Sequence, residues 1–158
     1  MINMRKATLS RIIITTHCHA TEDVEKVKQA LLNVFPPNLR DSINIEQETL
    51  YGYHGNPIIR FKIVLEGDEA VEMLKYLLKM LKETDRNLII NTIDVRYNKK
   101  SNEFFMRLSK QEAYMGNIAV YDGDDAIRVS ISFSVEKSLE AARNLLENLI
   151  KDGVYRSV

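Results

Sequence analysis

Residues 109–133 read SKQEAYMGNIAVYDGDDAIRVSISF, and the final stretch of that segment decides the fold. Ile127, Val129, Ile131 and Phe133 alternate with Arg128, Ser130, Ser132 and Ser134. Successive side chains of a strand point to opposite faces, so this pattern predicts a sheet with one apolar and one polar side. Upstream, Lys110–Gln111 opens a short helical turn that Ser109 can cap and that stops at Tyr114–Met115–Gly116. The acidic run Asp122–Asp125, with Gly123 inside it, reads as a tight Asp-Gly hairpin.

The same alternation recurs on both sides. Phe104, Met106 and Leu108 alternate with Phe105 and Arg107, and Ile59, Phe61, Ile63 and Leu65 with Arg60 and Lys62. Ile43–Tyr51 and the β-branched run Arg11–His19 supply two more strands, and Gly52–Pro57 is a turn. Helices fill the gaps. Thr21 is the expected N-cap of the first, with Glu22 and Asp23 in its opening turn and Val24, Val27, Ala30, Leu31 and Val34 as its apolar stripe. Pro36–Pro37 ends it. A second runs from Gly67–Asp68 to about Glu83, and a last one spans about Ser138–Lys151 until Gly153 ends it. Thr84–Asn98 fits either state, and a short helix after a Thr84 cap is the expectation. Strands outnumber long helices and no βαβ alternation or repeat is visible. The expected fold is α+β, with residues 1–158 as a single domain and a mostly antiparallel sheet carrying helices on one face.

A chain of 158 residues with 45% hydrophobic content can bury a substantial core. Lys and Arg total 22, as do Asp and Glu, so the net charge is zero. That balance argues against a protein coated in cations, although phosphate affinity depends on where charges sit. One cysteine, Cys18, permits no intrachain disulfide and suits a reducing cytoplasmic setting. No apolar run approaches the ~20 residues that span a bilayer, and the N-terminus lacks the pattern of a secretory signal.

If the apolar strand faces meet the helices, the other side collects Arg11, Arg60, Lys62, Arg107 and Arg128. Guanidinium forks with Ser and Thr hydroxyls between them suit phosphate, whereas a plain solvated face is the ordinary use of such charges. His17 and His19 share a strand face in this reading and His54 sits in a turn; a histidine metal site would need them together. Asp122, Asp124 and Asp125 invite calcium, but Phe133 stands where an EF-hand loop needs Glu. Cys18 reads as an inert buried thiol. No phosphate-binding loop or nucleophile motif nominates an enzyme, and no metal or cofactor is expected.

Four segments, in order, resemble a small archaeal family described as RNA-binding or as predicted exosome-associated subunits. They are His19–Ala20–Thr21–Glu22–Asp23 with the following Lys26–Val27; Gly52–Tyr53–His54–Gly55–Asn56–Pro57–Ile58; Lys110–Gln111–Glu112–Ala113–Tyr114–Met115–Gly116; and Asp122–Gly123–Asp124–Asp125 with Ile127–Arg128. The resemblance implies a fold similar to the ribosomal protein that holds 5S rRNA, and a non-catalytic role near exosome or ribosome-assembly components. One departure stands out: Leu88–Ile90 and Asp94–Tyr97 look strand-like where the family is more helical. The expected function is RNA binding, with Arg60, Lys62, Arg107 and Arg128 on phosphates and His54, Lys110 and Gln111 as a selective edge. The alternative is a homo-oligomeric protein-interaction or assembly module without direct RNA binding; the chain itself is expected to be a monomer or homodimer.

Overall fold

The computed structural model describes residues 9–134 and 137–157, with side chains through Asp152. Strands β1 (Leu9–Cys18), β2 (Glu46–Tyr51), β3 (Pro57–Glu66), β4 (Tyr97–Asn98), β5 (Glu103–Ser109) and β6 (Ala126–Phe133) form one sheet. Its order is β2-β3-β1-β6-β5-β4, and every neighbouring pair is antiparallel. The helices are α1 (Val24–Asn33), α2 (Gly67–Met80), α3 (Glu83–Asn91), α4 (Ile93–Arg96), α5 (Lys110–Tyr114) and α6 (Leu139–Ser157). The expected α+β class with an antiparallel sheet is what the chain adopts.

Alternation sets the layers. Ile12 and Ile14 of β1, Phe61 and Ile63 of β3, Phe104, Met106 and Leu108 of β5, and Ile127, Val129 and Ile131 of β6 are all buried. They form one core with Val27 and Leu31 of α1, Leu74 and Leu77 of α2, Ile89 of α3 and Leu146 of α6. The stripe expected on the first helix is the one that packs. Thr16 also faces inward, and its buried hydroxyl donates to the Ala126 carbonyl at 3.2 Å, which satisfies the polar group and ties β1 to the start of β6.

Several local expectations are corrected. Asp23, not Thr21, caps α1: its carboxylate accepts from the N–H groups of Glu25 and Lys26 at 2.9 and 3.4 Å. Glu22 therefore precedes the helix. Helix α2 stops at Met80, where Arg86 donates to the carbonyls of Leu78 and Leu81 and so ends the helix from outside. The next helix starts at Glu83 without a side-chain cap, so Thr84 lies inside it. Leu88–Ile90 and Asp94–Arg96 are helical, so of the strand-like stretches only Tyr97 lies in a strand, at the start of β4. Gly153 does not end the last helix, which continues to Ser157.

The Asp122–Asp125 turn is not a tight hairpin between paired strands. Residues 119–121 run along β5, with Ser109 N–H donating to Ala119 O and Tyr121 N–H to Arg107 O. β6 lies on the other side of β5, so the acidic turn carries the chain across the end of that strand. Ser109 does cap α5, accepting from the Glu112 N–H, and Gly116 leaves the helix at φ +89°, a value a glycine takes without strain.

Phe104 and Phe105 are adjacent residues on opposite sides of the sheet, one buried and one half-buried. Phe104→Ala is expected to cost about 3–5 kcal/mol. Phe105→Ala, which removes only partly covered area, should cost about 1 kcal/mol. Chemical denaturation of the two variants measures the difference, and equal losses would reverse the assignment of the faces.

Candidate nucleic-acid interface

The side of the sheet away from the core is an open, mixed face. Register fixes its rows. Thr15 stands opposite Lys62 on one side and Arg128 on the other, and Arg128 stands opposite Arg107. Lys62, Thr15, Arg128 and Arg107 thus form one row across β3, β1, β6 and β5. Neighbouring strands are about 4.8 Å apart, so the row crosses roughly 14 Å. In the next row His17 stands opposite Arg60, which pairs with Glu48 at 3.6 Å. Arg11 lies at the other end, opposite Glu66 and Ser132, away from the cationic row.

Within the row, charges are unevenly compensated. Lys62 faces Glu46 across β2. Arg107 reaches the Asp122 carbonyl at 3.5 Å, and Arg128 lies over the Phe105 ring with its guanidinium carbon 4.8 Å from the centroid. Like charges directly opposite in a sheet are unfavourable by a fraction of a kcal/mol to about 1 kcal/mol, so the Arg107–Arg128 neighbourhood is a place where an anion would be welcome. His17 is held below its ordinary pKa of 6.5, first by burial and then by Arg60, with His19 and Lys110 adding to the effect.

Lys110 lies elsewhere, at the end of the sheet, and only 8% of its surface is exposed. Its ammonium donates to His17 O at 2.7 Å, Glu22 Oε1 at 3.0 Å and Asp125 Oδ1 at 2.7 Å. Three N–H groups meet three acceptors, which commits the side chain to holding the fold together rather than to solvent. Glu22 also accepts from the His19 N–H at 3.0 Å, and the His19 ring lies 3.5 Å from Asp125. The first, third and fourth motif segments therefore meet in one ion cluster. His19, Glu22 and Asp125 also converge at metal-like spacing. The Lys110 ammonium supplies the positive charge there.

The remaining motif residues sit around this end. Asp122 takes a bidentate pair from Arg96 at 2.8 and 3.0 Å, which anchors α4. Gln111 is exposed on α5, beside α1, on the helical side. The turn Gly52–Pro57 is the tip of the β2–β3 hairpin, with Gly55 at φ +81° and Tyr53 98% exposed beside the His54 ring. His17 faces the open side, whereas β1 ends before His19 turns to Asp125, so these two histidines do not share a face. Cys18 is buried, and burial, then Glu22, raises its pKa, consistent with an unreactive thiol. The sequence-predicted set thus divides into Arg60, Lys62, Arg107 and Arg128 on the open face, His54 on the hairpin tip, and Lys110 and Gln111 at the sheet end.

The family described as RNA binding matches residues 11–133, the span from β1 to β6. The chain belongs to this RNA-binding family. An RNA-binding protein of Pyrococcus abyssi is 32% identical over 149 residues, covering 90% of this chain and 96% of its own. A protein of Methanocaldococcus jannaschii is 34% identical over 128 residues, covering 80% and 86%. A solved structure from Methanothermobacter thermautotrophicus has TM-score 0.70 at 27% identity, covering 90% of this chain and 98% of that one. The kinship read from the four motif segments holds, and in this RNA-binding family member three of those segments are joined by one lysine.

Sequence reasoning placed Lys110 and Gln111 on the interface because the unpaired first N–H groups of a helix turn suit anions. It missed Thr15, His17 and Phe105, whose positions on the polar side of their strands were available from parity alone. Lys110→Met should destabilise the fold by about 1–3 kcal/mol by leaving two carboxylates without their cation. Burial tends to raise the pKa of Asp125, but Lys110 and His19 together hold it below its ordinary 3.8. That depression stabilises the native state above the ordinary value and is lost as pH falls through the folded value. In Lys110→Met the stability curve below about pH 4 should therefore be flatter, read by denaturant titration at each pH.

Proposed function

We propose that this chain is a non-catalytic RNA-binding accessory protein of the cytoplasm, working beside exosome or ribosome-assembly components. The open sheet face is its RNA-binding surface. Arg107, Arg128 and Lys62 contact phosphates, with Arg60 at the margin beside Glu48. His54 at the hairpin tip and exposed Gln111 add outlying contacts, while Lys110 holds the sheet end that carries Gln111. The observation that carries this reading is the directly opposed Arg107–Arg128 pair. Two arginines set opposite one another on neighbouring strands of an open face are disfavoured in the free protein and relieved when a phosphate bridges them. Membership of the RNA-binding family and the name of the Pyrococcus abyssi relative support the same reading. Net neutrality fits a localised contact better than indiscriminate coating of RNA.

Filter binding of structured RNA across a salt series provides the test. Arg107→Ala and Arg128→Ala should each weaken binding across sequences and reduce the logarithmic salt slope by about 1. A double variant that keeps both affinity and slope would remove the open face from consideration.

The environment of His17 gives a second expectation. Its pKa lies below 6.5 in the free protein because burial and Arg60 disfavour the imidazolium. A phosphate bound beside it would raise that pKa, so binding takes up a proton and tightens as pH falls through the range around 6.5. His17→Gln should lose this pH dependence while retaining affinity at pH 8. Titrations at several pH values read both.

A further inference from the structure

We propose that the open face accepts an unpaired guanine base, stacked on the Arg128 guanidinium and read at its edge by Glu103. The inference rests on the RNA-binding reading and narrows its ligand to single-stranded RNA. Phe105 is an aromatic residue on the polar side of β5, where the core does not need it. Arg128 packs over that ring with its guanidinium carbon 4.8 Å from the centroid, and the arginine itself is exposed. The cation thus rests against an aromatic ring while its side chain stays open to solvent. That stack is a ready surface for a splayed-out base, which duplex RNA does not offer.

The surroundings select the base. Glu103 lines the same concavity as Phe105, Arg128, His17 and Thr15. Its Oε2 accepts from the hydroxyls of Ser130 and Ser132, each at 3.3 Å, which orients the carboxylate. An anion at this position repels phosphate, so it fits a base edge rather than the backbone. Guanine presents two adjacent donors, N1–H and N2–H2, to a carboxylate, whereas uracil presents one N–H between two carbonyls. Thr15 places a hydroxyl in the same concavity for sugar or phosphate.

Fluorescence anisotropy with three RNAs tests this: a uridine octamer with one central guanosine, the all-uridine octamer, and a duplex of similar length. The guanosine octamer should bind wild type about ten-fold tighter than all-uridine, as a bidentate base contact allows. The duplex should be the weakest. Glu103→Gln should abolish the guanosine preference, with all-uridine affinity equal to or tighter than that of wild type because a charge that repels phosphate is gone. Phe105→Leu should lose roughly ten-fold on both octamers, and Phe105→Tyr, which keeps the ring, should bind as wild type does. Equal binding of the two octamers, or a preference for duplex, overturns the base site and leaves the phosphate-binding face standing. Binding to none of the three RNAs overturns both.

Discussion

A strand cannot place two consecutive side chains on one side of a sheet, and the organisation of this molecule depends on that constraint. Four long strands each give alternate residues to a helix-covered core, which leaves the remaining half of each strand to define a second surface. Burial of Ile12, Phe61, Phe104 and Val129 thereby dictates where Arg107, Arg128 and Lys62 must go. The core and the candidate interface are the two outcomes of one pattern. A slip of one residue in register would exchange them strand by strand, so register is held by the whole apolar layer.

The end of the sheet follows a different rule. There the chain uses short segments with little apolar content, and charge joins them. One ammonium, nearly excluded from water, meets a backbone carbonyl and two carboxylates from three separate parts of the chain. Because the carboxylates are partly exposed, their desolvation cost is moderate, and the directed contacts fix loop geometry that packing alone would leave free. Asp122 does the same for α4 through Arg96. Two of the three aspartates of the acidic turn, Asp122 and Asp125, are thereby each held by a cation of the chain itself.

The sequence made legible whatever is local or periodic. Parity alone put Arg60, Lys62, Arg107 and Arg128 on the polar side of their strands. Their adjacency was not legible, because strand order is set by pairings between residues far apart in the chain. The sequestering of Lys110 was hidden for the same reason: Glu22 lies 88 residues away. Local signals also misled where two were equivalent. Thr21 and Asp23 are both good caps, and only the position at which the chain leaves β1 decides between them. Gly153 marks a helix end by preference, yet a single glycine costs only about 1 kcal/mol against a continuing helix.

The central position of β1 has a consequence for how the chain reaches this state. β1 pairs with β3 on one edge and, on the other, with β6, whose contact through Thr16 and Ala126 spans 110 residues. Closure of so long a loop comes late and slowly compared with the β2–β3 hairpin or the helices. During synthesis from the N-terminus, one edge of an isoleucine-rich strand waits unpaired until β6 emerges, a window in which intermolecular strand pairing competes with folding. The last strand of the sheet thus protects the first.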